Sequence, residues 1–326
     1  MWAIQITETG GPDVLKLAEL PDPEPGPGQL LVEVAAAGVN YIDTYHRSGA
    51  YPMPLPFTPG SEGAGTVTAV GPGGTEGGFT VGDRVAWAMS HGSYAEQAVV
   101  PAAQAVLVPP GLGIDTAAGT LLQGMTAHYL AVSVHPVLPG ETVLVHAAAG
   151  GMGLLLTQLA TARGGRVIGT VSTPEKERLA REAGAAEVIR YTEVDDLAGE
   201  VHRLTDGEGV AAVYDGVGAS TFDASLASLR PRGMLALYGA ASGPVPPVDP
   251  QRLNSAGSVF LTRPALAHYV ATRDELTWRA REVFDSILDG SLRIIIGGRY
   301  PLADAGRAHQ DLQGRRTTGK LLLLPR

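Results

Sequence analysis

The spacing of hydrophobic and polar positions changes along the chain and divides it into two parts. Residues 1 to about 122 alternate over short stretches that proline and glycine interrupt, which is typical of strands joined by turns. From about Gly124, apolar runs alternate with helical patterns, as in proteins whose helices connect the strands of one sheet. The sequence therefore predicts a β-rich part followed by an α/β part.

The first part predicts an antiparallel, barrel-like set of strands. A turn-rich stretch, Pro21 to Gly28, precedes a strand at Leu31–Ala35. Two further strand patterns, Gly65–Val70 and Asp83–Trp87, flank a glycine-rich loop from Gly71 to Gly78. Strands that follow one another without intervening helices pair as antiparallel neighbours.

The second part predicts a doubly wound parallel sheet. Strands that helices cover are continuously apolar, and such a sheet binds ligands beyond the carboxyl ends of its strands. The six predicted strands are Val143–Ala147, Val167–Val171, Glu187–Arg190, Ala211–Asp215, Met234–Tyr238 and Ser258–Thr262.

The C-terminal segment predicts a helix at Asp274–Leu288, which Gly290 ends, and strands at Ile294–Ile296 and Leu321–Leu324. We expect this segment to return to the first part, with a ligand cleft between two interleaved domains. The predicted domains are residues 1–122 together with 267–326, and residues 123–266.

The amino-acid composition restricts the classes of function that the chain can have. A chain of 326 residues, 44% hydrophobic, is long enough for two domains. Its formal net charge of -9 gives no overall basic field for nucleic acid, which we do not expect as a partner, although this charge does not exclude a local basic patch. It contains no cysteine, which excludes disulfides, thiolate nucleophiles and cysteine-ligated zinc. Redox chemistry would therefore need a bound cofactor.

The N-terminal residues predict a cytoplasmic location. Met1–Gln5 enters a strand pattern directly, without a charged start and an apolar signal core. Apolar stretches such as Ala147–Leu156 contain glycine and are too short to span a bilayer. We expect no interaction with membranes.

A glycine turn follows the first strand of the α/β part. Measured against the dinucleotide pattern G-x-G-x-x-G, Ala148 replaces the first glycine, while Gly150 and Gly153 fit. The helix that follows would offer its N-terminal N–H groups to a pyrophosphate. The alternative is a turn that only packs this helix on the sheet, but its strand–turn–helix context favours a dinucleotide site at Gly150 to Gly153.

The end of the second strand of this part indicates which dinucleotide binds. Proteins that bind NAD place a carboxylate there, whereas this chain has Ser172 and Thr173, with Lys176 one turn later. Hydroxyl donors and an ammonium suit a 2′-phosphate, so NADPH is favoured over NADH. In the alternative, Thr173 caps a helix that Pro174 begins and Lys176 is solvated, and both interpretations can hold together.

Motifs that are specific in combination extend over nearly the whole chain. They are Gly38–Tyr51, Pro59–Gly65, Val81–Val85, Gln123–Ala127, His146–Gly153, Tyr214–Gly218, Leu261–Pro264, Tyr300–Leu302, Ala308–His309 and Thr318–Lys320. In these motifs the chain resembles the zinc-independent, zeta-crystallin-like quinone oxidoreductases of the medium-chain dehydrogenase/reductase superfamily.

The resemblance implies an α/β protein with a GroES-like antiparallel β-barrel catalytic domain and a Rossmann domain, a doubly wound six-stranded parallel sheet. It also implies NADPH as the cofactor. Gly216 follows a predicted strand end, where Asp215 and Gly216 either contact the cofactor or cap a helix. The candidate cofactor-binding residues are Asn40, Tyr41, Ile42, Asp43, Thr44, Tyr45, Thr126, Tyr129, Gly150, Gly151, Met152, Gly153, Ser172, Thr173, Lys176, Tyr191, Gly216, Leu261, Thr262 and Arg263.

Zinc-dependent members of the superfamily have a cysteine near the position of Asn40 and a histidine at the position of Ser61, before the glutamate that matches Glu62. Without these ligands we predict no metal site. The protein would then position the nicotinamide and an electron-poor acceptor for direct hydride transfer.

The resemblance places Asn40, Tyr45 and Tyr51 towards the substrate, as candidate catalytic donors to a developing oxyanion. In the alternative, the rings of Tyr45, Tyr51 and Tyr129 only close a domain interface.

Two other functions share these features. One is an NADPH-dependent reductase of the double bond of an alkenal, enone or enoyl thioester, and the other is a non-enzymatic protein that binds NADPH or nucleic acid. The expected partner is a small quinone or enone. We also expect a homodimer, because the last strand, near Ser258–Leu261, would leave a free sheet edge.

Overall fold

The computed structural model describes residues 1–74 and 77–325 and contains two compact units. Unit 1 comprises Met1–Met125, Val270–Gly290 and Ile294–Arg326, and unit 2 comprises Thr126–Tyr269 and Ser291–Arg293. Thr75 and Glu76, which belong to the predicted loop Gly71 to Gly78, and Arg326 lie outside the described residues. Each unit has a hydrophobic core of its own.

The strands, in chain order, are β1 (Trp2–Gln5), β2 (Lys16–Glu19), β3 (Gln29–Val39), β4 (Glu62–Val70), β5 (Arg84–Ala88), β6 (Gln97–Pro101), β7 (Ala105–Leu107), β8 (Thr142–Val145), β9 (Arg166–Val171), β10 (Glu187–Arg190), β11 (Val210–Asp215), β12 (Leu229–Leu237), β13 (Phe260–Thr262), β14 (Ile296–Pro301) and β15 (Lys320–Leu324).

The α-helices are α1 (Tyr41–Ser48), α2 (Ile114–Ala118), α3 (Leu121–Tyr129), α4 (Gly151–Ala162), α5 (Pro174–Glu182), α6 (Leu197–Leu204), α7 (Phe222–Ala227), α8 (Gln251–Ser255), α9 (Arg273–Leu288) and α10 (Ala305–Gln313). A π-helical turn, Leu130–Val134, continues α3. Across residues 1–74 and 77–325, no helix is both long and apolar enough to cross a bilayer.

Unit 1 is built around the long strand β3. The sheet order is β14-β15-β3-β4-β5-β7, with β6 also paired to β3, while β1 and β2 form a separate antiparallel pair. Leu30, Val32 and Val34 of β3 are buried, because alternate side chains of a strand point to the same face. They pack in one core with Trp87 and Leu323.

Unit 2 contains a sheet of six parallel strands in the order β10-β9-β8-β11-β12-β13. The first strand in the chain, β8, lies between β9 and β11, so the winding direction reverses beside it. Reversal beside the first strand defines a doubly wound sheet, whose ligand crevice opens at the carboxyl edge. Every residue of β11 is buried, which explains its continuous apolar sequence.

The structure confirms the doubly wound sheet and all six of its predicted strands, although some strand ends differ. Ala147, predicted in the first strand, has a φ of 51° and lies in the turn after β8. Ser258, predicted in the last strand, has a φ of 56° and precedes β13. The strand predicted at Met234–Tyr238 begins earlier, at Leu229.

In unit 1 the predicted strands lie within or overlap β3, β4, β5 and β15, and the predicted helix is α9. The strand predicted at Ile294–Ile296 is wrong, because β14 begins only at Ile296. It also pairs with β15 in parallel, whereas we expected antiparallel neighbours. A Cβ atom at Gly297 would lie 2.8 Å from the carbonyl carbon of Thr318, so glycine permits this close pairing.

Candidate active site

The predicted glycine turn lies between β8 and α4, at the carboxyl edge of the unit 2 sheet. Gly150 precedes the first residue of α4, and its N–H donates to Ala147 O at 2.8 Å. A Cβ atom at Gly153 would lie 2.6 Å from Ala148 Cα, so only glycine lets the helix pack on the turn. The N–H groups of Gly151, Met152 and Gly153, in the first turn of α4, have no helical acceptor. Free N–H groups at the N-terminus of a helix are the kind of donor that an anion such as a pyrophosphate needs.

The residues predicted to face a 2′-phosphate gather at the ends of β9 and β10. Lys176 Nζ lies 3.4 Å from Ser172 Oγ. Tyr191 follows β10 and its N–H donates to Val171 O at 3.1 Å. Thr173 Oγ1 accepts from the Lys176 N–H at 3.3 Å and caps α5. The capping role expected for Thr173 is confirmed, and the Lys176 side chain still lies beside Ser172.

The other cofactor candidates of unit 2 are more dispersed. Tyr129 is buried, and its ring stacks on that of Tyr269 at 4.3 Å and 4°. Gly216 follows β11, and a Cβ atom there would contact the ring of Tyr238 at 2.7 Å. The remaining candidates are Thr126, which is buried on α3, Leu261 and Thr262, which belong to β13, and Arg263, which is exposed after it.

Asp215 ends β11 and organises the loop that follows. Its Oδ1 accepts from the N–H groups of Val217 and Gly218 at 2.8 and 3.0 Å, and its Oδ2 accepts from Ser225 Oγ at 2.7 Å. The carboxylate thus fixes the loop after β11, but it is not the helix cap that was one of its two expected roles, because the N-cap residue of α7 is Thr221. His146 contacts the same Ser225 at 2.9 Å, and burial lowers its pKa.

In unit 1, two tyrosines lie on α1, which follows Asn40, and a third, Tyr51, lies just after the helix. Asp43 Oδ2 accepts from the Asn40 N–H at 2.9 Å, which satisfies one free donor at the start of α1. The rings of Tyr45 and Tyr51 are 5.2 Å apart, and those of Tyr41 and Tyr45 are 6.4 Å apart. The predicted substrate-side residues therefore lie along one short segment, with Asn40 before α1, Tyr45 on it and Tyr51 after it.

A buried chain of hydrogen bonds extends from Arg47 to Asp43. Arg47 Nη1 lies 3.2 Å from His309 Nδ1, and His309 Nε2 lies 3.0 Å from Tyr94 Oη. Arginine can only donate, so Nδ1 accepts and Nε2 carries the proton. Tyr94 then donates to Asp43 Oδ2 at 3.3 Å, and Ser61 Oγ donates to Asp43 Oδ1 at 2.8 Å. Every donor in this series of hydrogen bonds therefore points towards Asp43.

Burial changes the pKa values of the ionisable side chains in this series of hydrogen bonds. It raises the pKa of Asp43 to about 6, although Ser61, the Asn40 backbone and Lys320 all act in the opposite direction. It lowers the pKa of His309 to about 3, with the positive charge of Arg47 adding to the effect. His309 is therefore neutral at pH 7, in agreement with the tautomer deduced above.

Asn40 is held by a buried polar cluster, which consists of Asn40, Glu62, Gln123 and Lys320. Asn40 Nδ2 donates to Glu62 Oε2 at 3.0 Å and to Gly38 O at 3.3 Å. Its Oδ1 accepts from Lys320 Nζ at 2.7 Å and from Gln123 Nε2 at 3.2 Å. Both amide hydrogens are already donated, so the structure favours a holding role for Asn40 over the predicted donor role.

Sequence reasoning assigned no role to Gln123 or Lys320. Both stand in motifs that carried the resemblance, Gln123–Ala127 and Thr318–Lys320. Their partners are distant in sequence, and Lys320 is 280 residues from Asn40. Local spacing carries no signal for such a pair.

Where zinc-dependent members of the superfamily have zinc ligands, this chain has residues with other roles. Asn40 belongs to the polar cluster, and Ser61 donates to Asp43. Within residues 1–74 and 77–325, no group of three or more His, Asp or Glu side chains is placed to hold a metal ion.

Two family models match the chain. Residues 26–110 match the alcohol dehydrogenase GroES-like domain, and residues 151–276 match the zinc-binding dehydrogenase family. The first match lies in unit 1, and the second lies mostly in unit 2.

Individual proteins match over almost the full length. A quinone oxidoreductase of Pseudomonas aeruginosa is 47% identical and covers 99% of both chains. A 2-haloacrylate reductase of a Burkholderia species is 43% identical over 99% of this chain and 98% of its own. A mycobacterial protein solved in complex with NADPH is 59% identical over the whole of both chains, with a TM-score of 0.97.

Proposed function

The chain belongs to the zinc-independent quinone oxidoreductases of the medium-chain dehydrogenase/reductase superfamily, and on that premise we propose that it uses NADPH to reduce a quinone. Its fold combines a GroES-like domain with a Rossmann sheet. The observation that carries the proposal is the turn Gly150–Gly153, which presents free N–H groups at the carboxyl edge of that sheet.

The residues of unit 2 fit NADPH. The first turn of α4 would hold the pyrophosphate, where a side chain at Gly153 would collide with Ala148. Ser172, Thr173 and Lys176 would hold the 2′-phosphate, since the end of β9 carries hydroxyls and an ammonium in place of a carboxylate. When bound, the nicotinamide supplies a hydride.

The residues of unit 1 would handle the acceptor. Quinone reduction takes one hydride and one proton and gives the hydroquinone and NADP⁺. Tyr45 and Tyr51 would donate hydrogen bonds to the acceptor oxygens, and Asn40 would hold the start of α1, which carries Tyr45. The remaining candidate residues, Tyr41, Ile42, Asp43 and Thr44, belong to the same helix and would line the cofactor side.

A steady-state panel that crosses NADPH and NADH with 1,4-naphthoquinone and 2-hexenal tests this proposal. We expect NADPH with the quinone to give the highest kcat/KM. Retained NADPH binding without turnover of any acceptor would instead favour a non-enzymatic binding protein.

The second candidate function is reduction of an electron-poor carbon–carbon double bond. The 2-haloacrylate reductase, 43% identical over nearly the whole chain, supports it. In the same panel, a kcat/KM for an enal or for 2-chloroacrylate above that for every quinone would select this candidate.

We also propose a cytoplasmic homodimer. Strand β13 ends the sheet of unit 2, and its Phe260 side chain is 58% exposed. Pairing of two β13 strands would extend the sheet and cover this ring. Light scattering after size exclusion, compared between the native chain and Phe260→Lys, tests the arrangement: the native chain should be dimeric and the variant monomeric.

A further inference from the structure

The polar cluster of unit 1 fixes which atom of each amide donates and which accepts. Lys320 Nζ lies 2.5 Å from Glu62 Oε2 and 2.7 Å from Asn40 Oδ1. An ammonium can only donate, and an ionised carboxylate can only accept. A reversed Asn40 amide would place its NH₂ against the ammonium and its oxygen against the carboxylate. Its orientation is therefore fixed by charge.

The fold is shaped to hold Lys320 in this place. Its side chain is buried, and a Cβ atom at Gly38 would lie 2.9 Å from Lys320 Cε. A Cβ atom at Gly119 would lie 2.9 Å from Lys320 Cγ. Two glycines thus make room for the lysine stem, and Glu62 Oε1 is fixed by the Leu122 N–H at 2.8 Å. The ammonium therefore has one defined position.

The fixed polarity extends to Gln123. Its Nε2 donates to Asn40 Oδ1 at 3.2 Å, and a reversed Gln123 amide would place two oxygens against each other. Its Oε1 is consequently turned away from Asn40. This oxygen is buried and has no hydrogen-bond partner among residues 1–74 and 77–325. A buried acceptor without a donor is costly unless a ligand supplies one.

We propose that Gln123 is a ligand-binding residue whose Oε1 accepts a hydrogen bond from an N–H or O–H group, and that Lys320 and Glu62 together are the positioning residues that fix this polarity. The inference rests on the proposed function, which supplies two sources of such a donor. One is the carboxamide NH₂ of the nicotinamide, and the other is the hydroxyl of the hydroquinone. A quinone has no donor and cannot take this place.

Paired ligands that differ only in the donor distinguish these sources. The first pair is NADPH and its reduced 3-acetylpyridine analogue, in which a methyl ketone replaces the carboxamide, with Kd measured by tryptophan fluorescence. The second pair is 1,4-naphthohydroquinone and its dimethyl ether, with Ki measured without oxygen. For one pair, we expect Gln123→Leu to lose about three- to tenfold of the preference for the donor-bearing ligand.

Three further variants complete the test. Gln97→Leu is the matched control, because Gln97 Oε1 is also buried without a partner but lies on β6. It should leave both preferences unchanged. The double variant Glu62→Gln/Lys320→Met should reduce the same preference as Gln123→Leu, although Gln123 is intact, because the amides can reverse once both charges are removed. Lys320→Met alone should leave more of the preference, because the Glu62 carboxylate still accepts from Asn40 Nδ2.

Preferences that Gln123→Leu leaves unchanged for both pairs would overturn the binding role, and Gln123 Oε1 would then meet only water. A preference that survives removal of both charges in Glu62→Gln/Lys320→Met would overturn the positioning role. Failure of the native chain to bind NADPH would instead count against the proposed function itself.

Discussion

Lys320 Nζ lies 2.5 Å from Glu62 Oε2, and the two side chains are 2% and 0% exposed. A buried pair of opposite charges contributes little net stability, but removal of one partner leaves the other charge uncompensated. The pair therefore stabilises unit 1 only as long as both members are present.

The substitution Lys320→Met should lower the free energy of unfolding by about 3–5 kcal/mol, because it leaves the Glu62 carboxylate buried without a cation. The double variant Glu62→Gln/Lys320→Met should recover most of this loss. Urea unfolding of the native chain and both variants measures these differences. A double variant less stable than Lys320→Met would show that charge compensation is not the cause.

His309 should make the chain less stable in acid. Its folded pKa, about 3, lies below the unfolded value near 6.5, so between these values only the unfolded chain takes up the proton. Stability from His309 is therefore present above about pH 6.5 and is lost as pH falls, at ~1.4 kcal/mol per pH unit. Asp43 has the opposite sign, since its folded pKa of about 6 exceeds the unfolded value of 3.8.

Replacement by glutamine isolates the histidine, because Gln can accept from Arg47 and donate to Tyr94 without titrating. The stability advantage of the native chain over His309→Gln should shrink by roughly 1 kcal/mol per pH unit between pH 6 and 4. Urea unfolding at several pH values measures the difference. Two parallel curves would mean that His309 does not stay neutral in the folded chain.

Lys176 should select the phosphorylated cofactor. The substitution Lys176→Ala should weaken NADPH binding by about 1.5–3 kcal/mol, the value of a charged hydrogen bond, and barely affect NADH. Arg178→Ala is the matched control on the same helix, because Arg178 is exposed and pairs with Glu182. Fluorescence titration gives both affinities. Equal losses for the two cofactors would refute the 2′-phosphate assignment.

Asn40→Ala should lower quinone turnover about tenfold while the chain remains folded, because Lys320 and Gln123 lose their common acceptor. Ser48→Ala, an exposed change at the end of α1, serves as the control. Steady-state kinetics and circular dichroism check the two parts of the prediction. Unchanged turnover on every quinone tried would remove Asn40 from the mechanism.

Local patterns predicted the parts of the fold whose cause is local. β8, β9 and β11 are mostly apolar because helices pack on their sheet, so each appears as an apolar run in the sequence. The same link between apolar runs and strands gave the incorrect prediction at Ile294–Ile296. The true strand β14 continues through Gly297 and Gly298, which are present for close pairing and not for burial.

The candidate site also has one part that local sequence patterns predicted and another part that they did not. The turn at Gly150–Gly153 and the hydroxyls after β9 follow from the sequence, because strand, turn and helix are consecutive there. The cluster around Asn40 does not, since Glu62, Gln123 and Lys320 meet only after the chain has folded. A residue type gives no direction for its hydrogen bonds until its neighbours are known.

The most direct test of the central claim is a single-turnover reaction of the chain after dialysis against a chelator. The chain is mixed with NADPH, followed by 1,4-naphthoquinone, and the absorbance of the reduced nicotinamide is recorded. We predict that one equivalent of NADPH is oxidised per site, at a rate that added zinc or magnesium does not change. NADPH that remains unoxidised until a divalent ion is restored, or that never binds, would contradict metal-independent hydride transfer.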